Sequence, residues 1–167
     1  MLNQKGVSFV ETILYIAIIS LVMTAFFNFS LSNNTVYTKT YMAEDVHSNL
    51  RYALSVMSKR IRAANSVNTA QSNLGGDPGT LSLAMSDSLY NPTIFNLNHD
   101  DGALYLTEGL GYPVALTTQD IYISKLIFNY LEDHGQEAVQ IEITGERRGS
   151  SQEYNYTESV QTAVALR

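Results

Sequence analysis

Residues 7–31 read VSFVETILYIAIISLVMTAFFNFSL, and no charged side chain occurs anywhere in residues 12–38. A helix needs ~20 mostly apolar residues to cross a hydrocarbon core ~30 Å thick, and this segment exceeds that length. A cleaved secretory signal fits less well, because its apolar region normally runs only ~7–15 residues and ends at small residues of the A-x-A kind. One residue breaks the apolar run: Glu11, where a carboxylate at mid-bilayer costs ~2.5–3.5 kcal/mol on insertion scales. An ionisable group kept at such a cost points to a function. The preceding MLNQKG carries Lys5 and no acidic residue, so the N-terminus is expected to stay in the cytoplasm while the bulk of the chain crosses.

Working outward, residues 7–64 contain no proline or glycine, which predicts one continuous helix of ~58 residues and ~87 Å. Its second half changes character. Leu50, Leu54, Met57, Ile61 and Ala64 recur at spacings of four and three, an apolar stripe that predicts packing on a core, with Arg51, Ser55, Ser58, Lys59 and Arg62 on other faces. Lys59, Arg60 and Arg62 complement the carbonyl end of the helix dipole, and Asn65 is placed to cap it.

Beyond the helix, residues 65–79 (NSVNTAQSNLGGDPG) read as a polar loop. Short strand signals follow at 80–85 (TLSLAM), at 103–106 after the Asp101-Gly102 turn, at 120–131 (DIYISKLIFNYL) and at Val139, Ile141 and Ile143. Asp-Gly favours a type I′ hairpin. Residues 154–166 suggest a last strand with a change of register midway. The economical fold is α+β: a long N-terminal helix, transmembrane then amphipathic, packed on one antiparallel β-sheet.

Of 167 residues, 10 are basic and 16 acidic, a net charge of −6. With Lys5 and Glu11 set aside, 9 of the basic and 15 of the acidic residues lie beyond Leu31, so direct binding to nucleic acid is not expected. The absence of cysteine excludes a disulfide framework and thiolate chemistry. His47, His99 and His134 lie in separate regions without a carboxylate at catalytic spacing, the Asn98–Asp101 stretch lacks the oxygens of an EF-hand, and Gly75 to Gly79 is followed by no Lys-Ser/Thr. Glu146-Arg147-Arg148-Gly149 admits a salt-bridged hairpin or a small anion patch, and a solvated turn is the favoured reading. No constellation calls for an enzyme, a metal or a cofactor. The eleven tyrosines suit either ordinary strands or an adhesive face.

The combination Lys5-Gly6-Val7-Ser8-Phe9-Val10-Glu11 opening an apolar helix resembles the prepilin motif of the type IV pilin family, pilins and type II secretion pseudopilins alike. The resemblance implies that residues 1–6 are a leader, cut by a prepilin peptidase between Gly6 and Val7, with N-methylation of the new amine on Val7. Residues 7–31 would be the transmembrane assembly helix, and residues 32–167 a periplasmic or extracellular head with amphipathic helix to about 64 and then β-sheet. Glu11 would pair with the N-terminal amine of a neighbouring subunit. The implied partners are other pilins or pseudopilins, the peptidase and an inner-membrane assembly platform. The precursor would sit in the cytoplasmic membrane as a single-pass protein and pass into a pilus or pseudopilus, in the periplasm or at the cell surface. Many family members have phenylalanine where Val7 stands, and major pilins often carry a proline in the first helix, whereas the prolines here are Pro78, Pro92 and Pro113. The ALSVMSKRIRAAN segment is similar to the minor pseudopilins of the larger, J-type class. The expected role is therefore a minor structural subunit, with priming or tip placement; a tip adhesin or substrate-binding subunit on the same anchor is the alternative.

Overall fold

The computed structural model describes residues 8–133, 136–147 and 155–166, without the side chains of residues 33–35 and 133. One helix, α1 (Phe9–Ala63), precedes eight strands: β1 (Ala64–Val67), β2 (Thr80–Met85), β3 (Thr93–Asn98), β4 (Ala103–Glu108), β5 (Val114–Ala115), β6 (Tyr122–Asp133), β7 (Gln136–Arg147) and β8 (Tyr156–Ala165). The fold is α+β, as the sequence predicts. The chain divides into two compact units, Met1–Thr40 and Tyr41–Arg167, with α1 running through the boundary.

In the first unit, α1 is long and apolar enough to cross a membrane, and none of its most apolar stretch is buried. In the second unit the predicted stripe forms the core. Leu50, Met57 and Ile61 are fully buried, Ala64 and Leu54 nearly so, and Val46 and Ala53 extend the stripe. They pack with Leu81, Leu83, Phe95, Leu104, Leu126, Phe128, Ile141 and Ile143 from the strands. Each such large apolar side chain withdrawn from water contributes ~1.5–3 kcal/mol before entropy is charged against it.

The strands form two antiparallel sheets where the sequence predicts one. Sheet A has the order β1-β2-β3-β4-β5 and sheet B the order β6-β7-β8. Strands β6 and β7 are each 12 residues long, and between Ile123 and Phe128 the β6 edge that faces away from β7 bonds to Gly75, Asp77, Gly79 and Gly102 in place of a strand of sheet A.

Five further expectations are corrected. Residues 65–79 are not simply a loop: α1 passes directly into β1, whose Ser66 and Val67 pair with Ala84 and Leu83, and a 3₁₀ turn follows at Thr69–Gln71. Asn65 is consequently in a strand and caps nothing; its Oδ1 accepts from the Ser86 hydroxyl at 2.7 Å. The hairpin at Asp101-Gly102 has four loop residues, 99–102, between the paired Asn98 and Ala103, in place of a two-residue type I′ turn, with its one glycine, Gly102, at positive φ (66°). Strand β8 keeps one register from Tyr156 to Ala165 against β7, because Tyr156, Val160 and Val164 all share parity and no shift is needed. Arg147 belongs to β7, not to a solvated turn, while Arg148 and Gly149 lie outside the described residues. Strand β3 carries an inward Thr93, Phe95, Leu97 alternation that the sequence reading passed over.

Candidate functional site

Of the residues singled out by the prepilin-like motif, Gly6 and Val7 lie outside the described residues, and Glu11 stands in the first turn of α1. A carboxylate there complements the partial positive charge of the helix N-terminus. The Tyr15 hydroxyl, one turn on, donates to Glu11 Oε1 at 3.2 Å; among the described residues Glu11 has no cationic partner. Around it every large side chain faces outward: Phe9, Ile13, Ile16, Leu21, Phe26, Phe29 and Leu31 are all more than half exposed. The few hydroxyls in this stretch satisfy themselves within the helix, Ser20 Oγ donating to the Ile16 carbonyl and Thr24 Oγ1 to that of Ser20, each at 2.8 Å. Such back-bonding is what an apolar solvent requires of a hydroxyl. Among the described residues up to Thr38, Glu11 is therefore the one acidic or basic residue on an otherwise uncharged helix.

In the head, cationic side chains from α1 and β7 are held by acids on neighbouring elements. Arg147 Nη1 pairs with Asp45 Oδ2 on α1, its Nη2 lies 3.7 Å from Asp120 Oδ2, and its guanidinium carbon sits 5.4 Å from the centroid of the Tyr41 ring. Arg60 Nη2 approaches Glu108 Oε1 at 2.5 Å and stacks over Tyr90 at 5.2 Å. His47 Nδ1 lies 2.9 Å from Glu158 Oε1 on β8. His99 contributes its carbonyl to the Tyr122 hydroxyl at 3.2 Å, and His134 is outside the described residues. These contacts tie the helix to both sheets. None aims a base at a nucleophile, and among the described residues no three His, Asp or Glu side chains are grouped to hold a metal ion.

The loop from 98 to 103, read in sequence as a turn, is polar and self-bonded. Tyr105 Oη donates to Asp101 Oδ2 at 2.6 Å and the Ala103 amide to Oδ1 at 2.9 Å. These bonds, the tyrosine's first, hold the Asp101 carboxyl below the ordinary aspartate value and push the Tyr105 phenol up. Tyr130 is also raised, chiefly by desolvation and then by the charge of Glu137.

Two of the grooves among the described residues bear on function. One, of about 390 Å³, is lined by Leu89, Tyr90, Leu106, Leu110, Tyr112 and Val114 among others, with Leu110 and Tyr112 almost wholly exposed. The other, of about 740 Å³, runs between the end of α1 with the start of β1 on one side and the end of β8 on the other. No motif announced the second groove; its walls come from segments about 100 residues apart, Lys59–Asn65 and Ala163–Leu166, and only the fold brings them together.

No family model matches this chain, and neither the curated proteins nor the solved structures contain a match to it.

Proposed function

We propose that this chain is a minor structural subunit of a type IV pilus or pseudopilus, cut after Gly6 by a prepilin peptidase and assembled through its N-terminal helix. The observation that carries the reading is Glu11: a single carboxylate in the first turn of an unbroken helix whose large apolar side chains from Phe9 to Leu31 are exposed, with Lys5-Gly6-Val7 just upstream in the sequence. A lone subunit in a bilayer bears the cost of that charge. A neighbour whose newly cut Val7 amine sits at the same depth removes the cost for both groups, which turns an unfavourable residue into a docking signal. The α-amine of Val7, freed at the hydrocarbon edge, is the matching cation, and the absence of a side chain on Gly6 lets a membrane peptidase approach the bond. The subunit serves a priming or tip complex together with other pilins or pseudopilins and an inner-membrane assembly platform.

The test is mass spectrometry of the N-terminus from membrane and sheared-filament fractions for wild type, Gly6→Ala and Glu11→Gln. The wild-type chain should begin at Val7, carry one added methyl group and be present in filaments. Gly6→Ala should keep Met1, and Glu11→Gln should be cut yet left in the membrane fraction. A wild-type chain that keeps Met1, or is cut beyond residue 31, overturns the proposal.

The tyrosine-lined groove at Tyr90 and Tyr112 favours a second reading, a tip subunit with an adhesive or substrate-binding head. In that case Tyr112→Ala and Leu110→Ser lower surface attachment without lowering pilus number.

A further inference from the structure

Sheet B has two margins of opposite character. The β6 margin is covered between Ile123 and Phe128: Gly75 N donates to the Phe128 carbonyl and Gly79 N to that of Leu126, each at 2.7 Å, the Leu126 amide donates to Asp77 Oδ1, and the Ile123 amide donates to the Gly102 carbonyl. Among the described residues nothing covers the β8 margin. The Leu166 amide donates to the Glu137 carbonyl, and Ala165 lies opposite Ala138, so even-numbered residues of β8 turn their N–H and C=O groups towards β7. In an antiparallel ladder the alternate residues then turn theirs away: Thr157, Ser159, Gln161, Ala163 and Ala165, whose outward backbone groups find no hydrogen-bond partner among the described residues.

Long sheet edges are ordinarily blunted by lysine, proline or a bulge. Strand β8 is ten residues long and in continuous register, and residues 159–165 (SVQTAVA) hold no charge, proline or glycine. Its last residues open into the 740 Å³ groove, whose walls are the small side chains of Ala63, Ala64, Ala163 and Ala165, leaving room for another backbone. The charged residues lining it are Lys59 and Arg62, both exposed, with no carboxylate among the lining side chains. Neither has an ion-pair partner among the described residues, unlike Arg60 and Arg147. On a chain of net charge −6, this is a local positive site beside an open strand edge.

We infer that this groove receives an extended acidic segment of a partner protein, which adds to β8 as a fourth strand of sheet B while its carboxylates meet Lys59 and Arg62. The backbone ladder supplies affinity without sequence preference, and the two cations select acidic side chains at the end of the strand. This inference rests on the head alone and stands whether or not the N-terminal helix assembles a pilus.

The probe is a displayed library of random nonapeptides selected against the full chain in lipid nanodiscs, followed by amide hydrogen exchange with an enriched peptide. The expected peptides are acidic and β-branched, and they protect the amides of Ser159, Gln161 and Ala163. Ala163→Pro removes one outward N–H and no bond to β7, and it should abolish binding. Lys59→Glu with Arg62→Glu should weaken it about tenfold or more. Should Ala163→Pro fail to fold, the same peptide N-methylated along one edge tests the ladder on the unaltered protein, where binding should be lost. A library that yields no binder, peptides without acidic bias, or binding indifferent to both Ala163→Pro and N-methylation overturns the inference. A dimer of the chain that Ala163→Pro dissolves overturns it in favour of β8 pairing between two copies.

Discussion

Gly145 of β7 lies directly beneath Leu50 of α1: a Cβ on the glycine would stand 2.9 Å from Leu50 Cδ2 and 3.4 Å from Ile123 Cδ1. Leu50 is fully buried, so it has no solvent to retreat into. A glycine inside a strand often marks such a close approach. Gly145→Val is expected to lower stability by ~1–3 kcal/mol through overpacking, read as a lower urea midpoint at unchanged slope. Leu50→Ala alone should cost ~2–5 kcal/mol by leaving a cavity, and the double variant should cost less than the two together, because valine fills part of the space.

Arg147 should be worth more than a surface cation. Its side chain is 19% exposed and that of Asp45 is 26% exposed, so the pair is only partly screened. Arg147→Met removes the partner of Asp45 and is expected to cost ~1–3 kcal/mol. Combined with Asp45→Asn, it should give a coupling energy of ~1 kcal/mol or more in a double-mutant cycle of thermal or urea unfolding. A coupling near zero would show the two groups to be independent.

Gly102 combines two constraints. Its φ is +66°, and a Cβ there would meet Tyr122 Cδ2 at 2.1 Å, while its carbonyl accepts from the Ile123 amide at 2.8 Å. Gly102→Ala should therefore cost on the order of 2 kcal/mol or more, beyond the left-handed penalty alone, with a matching fall in melting temperature. Exposed Ser86→Ala is expected to move it far less.

Stability should respond to pH at both extremes through one hydrogen bond. The Asp101 carboxyl is lowered in the fold below its ordinary 3.8, so its contribution is present above that value and disappears as pH falls through the lowered folded value. Tyr105 is raised above its ordinary 10.0, so its contribution is complete below pH 10 and is lost as the phenol ionises at higher pH beside the Asp101 charge. In Tyr105→Phe, an NMR titration should find the Asp101 midpoint moved up towards the ordinary value. An unmoved midpoint would show that the remaining hydrogen bonds, the Ala103 amide first among them, set it without the tyrosine.

The helix and its stripe were legible because their signals are local and repeated: spacings of three and four at Leu50, Leu54, Met57 and Ile61, and no breaker before residue 65. The alternations at 80–85 and at Val139, Ile141 and Ile143 were legible for the same reason. What escaped depends on pairing across long sequence distances. The split into two sheets goes with the cover that Gly75, Asp77, Gly79 and Gly102 put on the β6 edge, and the placement of Arg147 depends on Asp45, 102 residues away. Strand β3 was missed because Asn91-Pro92 and Asn98-His99 crowd a short Phe95, Leu97 alternation with turn residues. Of the candidate site, Glu11 was read directly from its apolar surroundings, whereas the groove beside β8 is made by two segments that carry no common motif.

The covered margin at Ile123–Phe128 and the bare margin at β8 also fix a valency. Cross-β growth needs a free edge on each side of the sheet so that every added strand presents a template for the next. Over this stretch of sheet B only one side can accept a strand, and whatever binds there leaves the next addition to the newcomer's far edge. Pairing through two β8 strands would end at two chains. The head can expose a long unguarded strand without templating a second one along Ile123–Phe128, since that part of its other margin is occupied by its own turns.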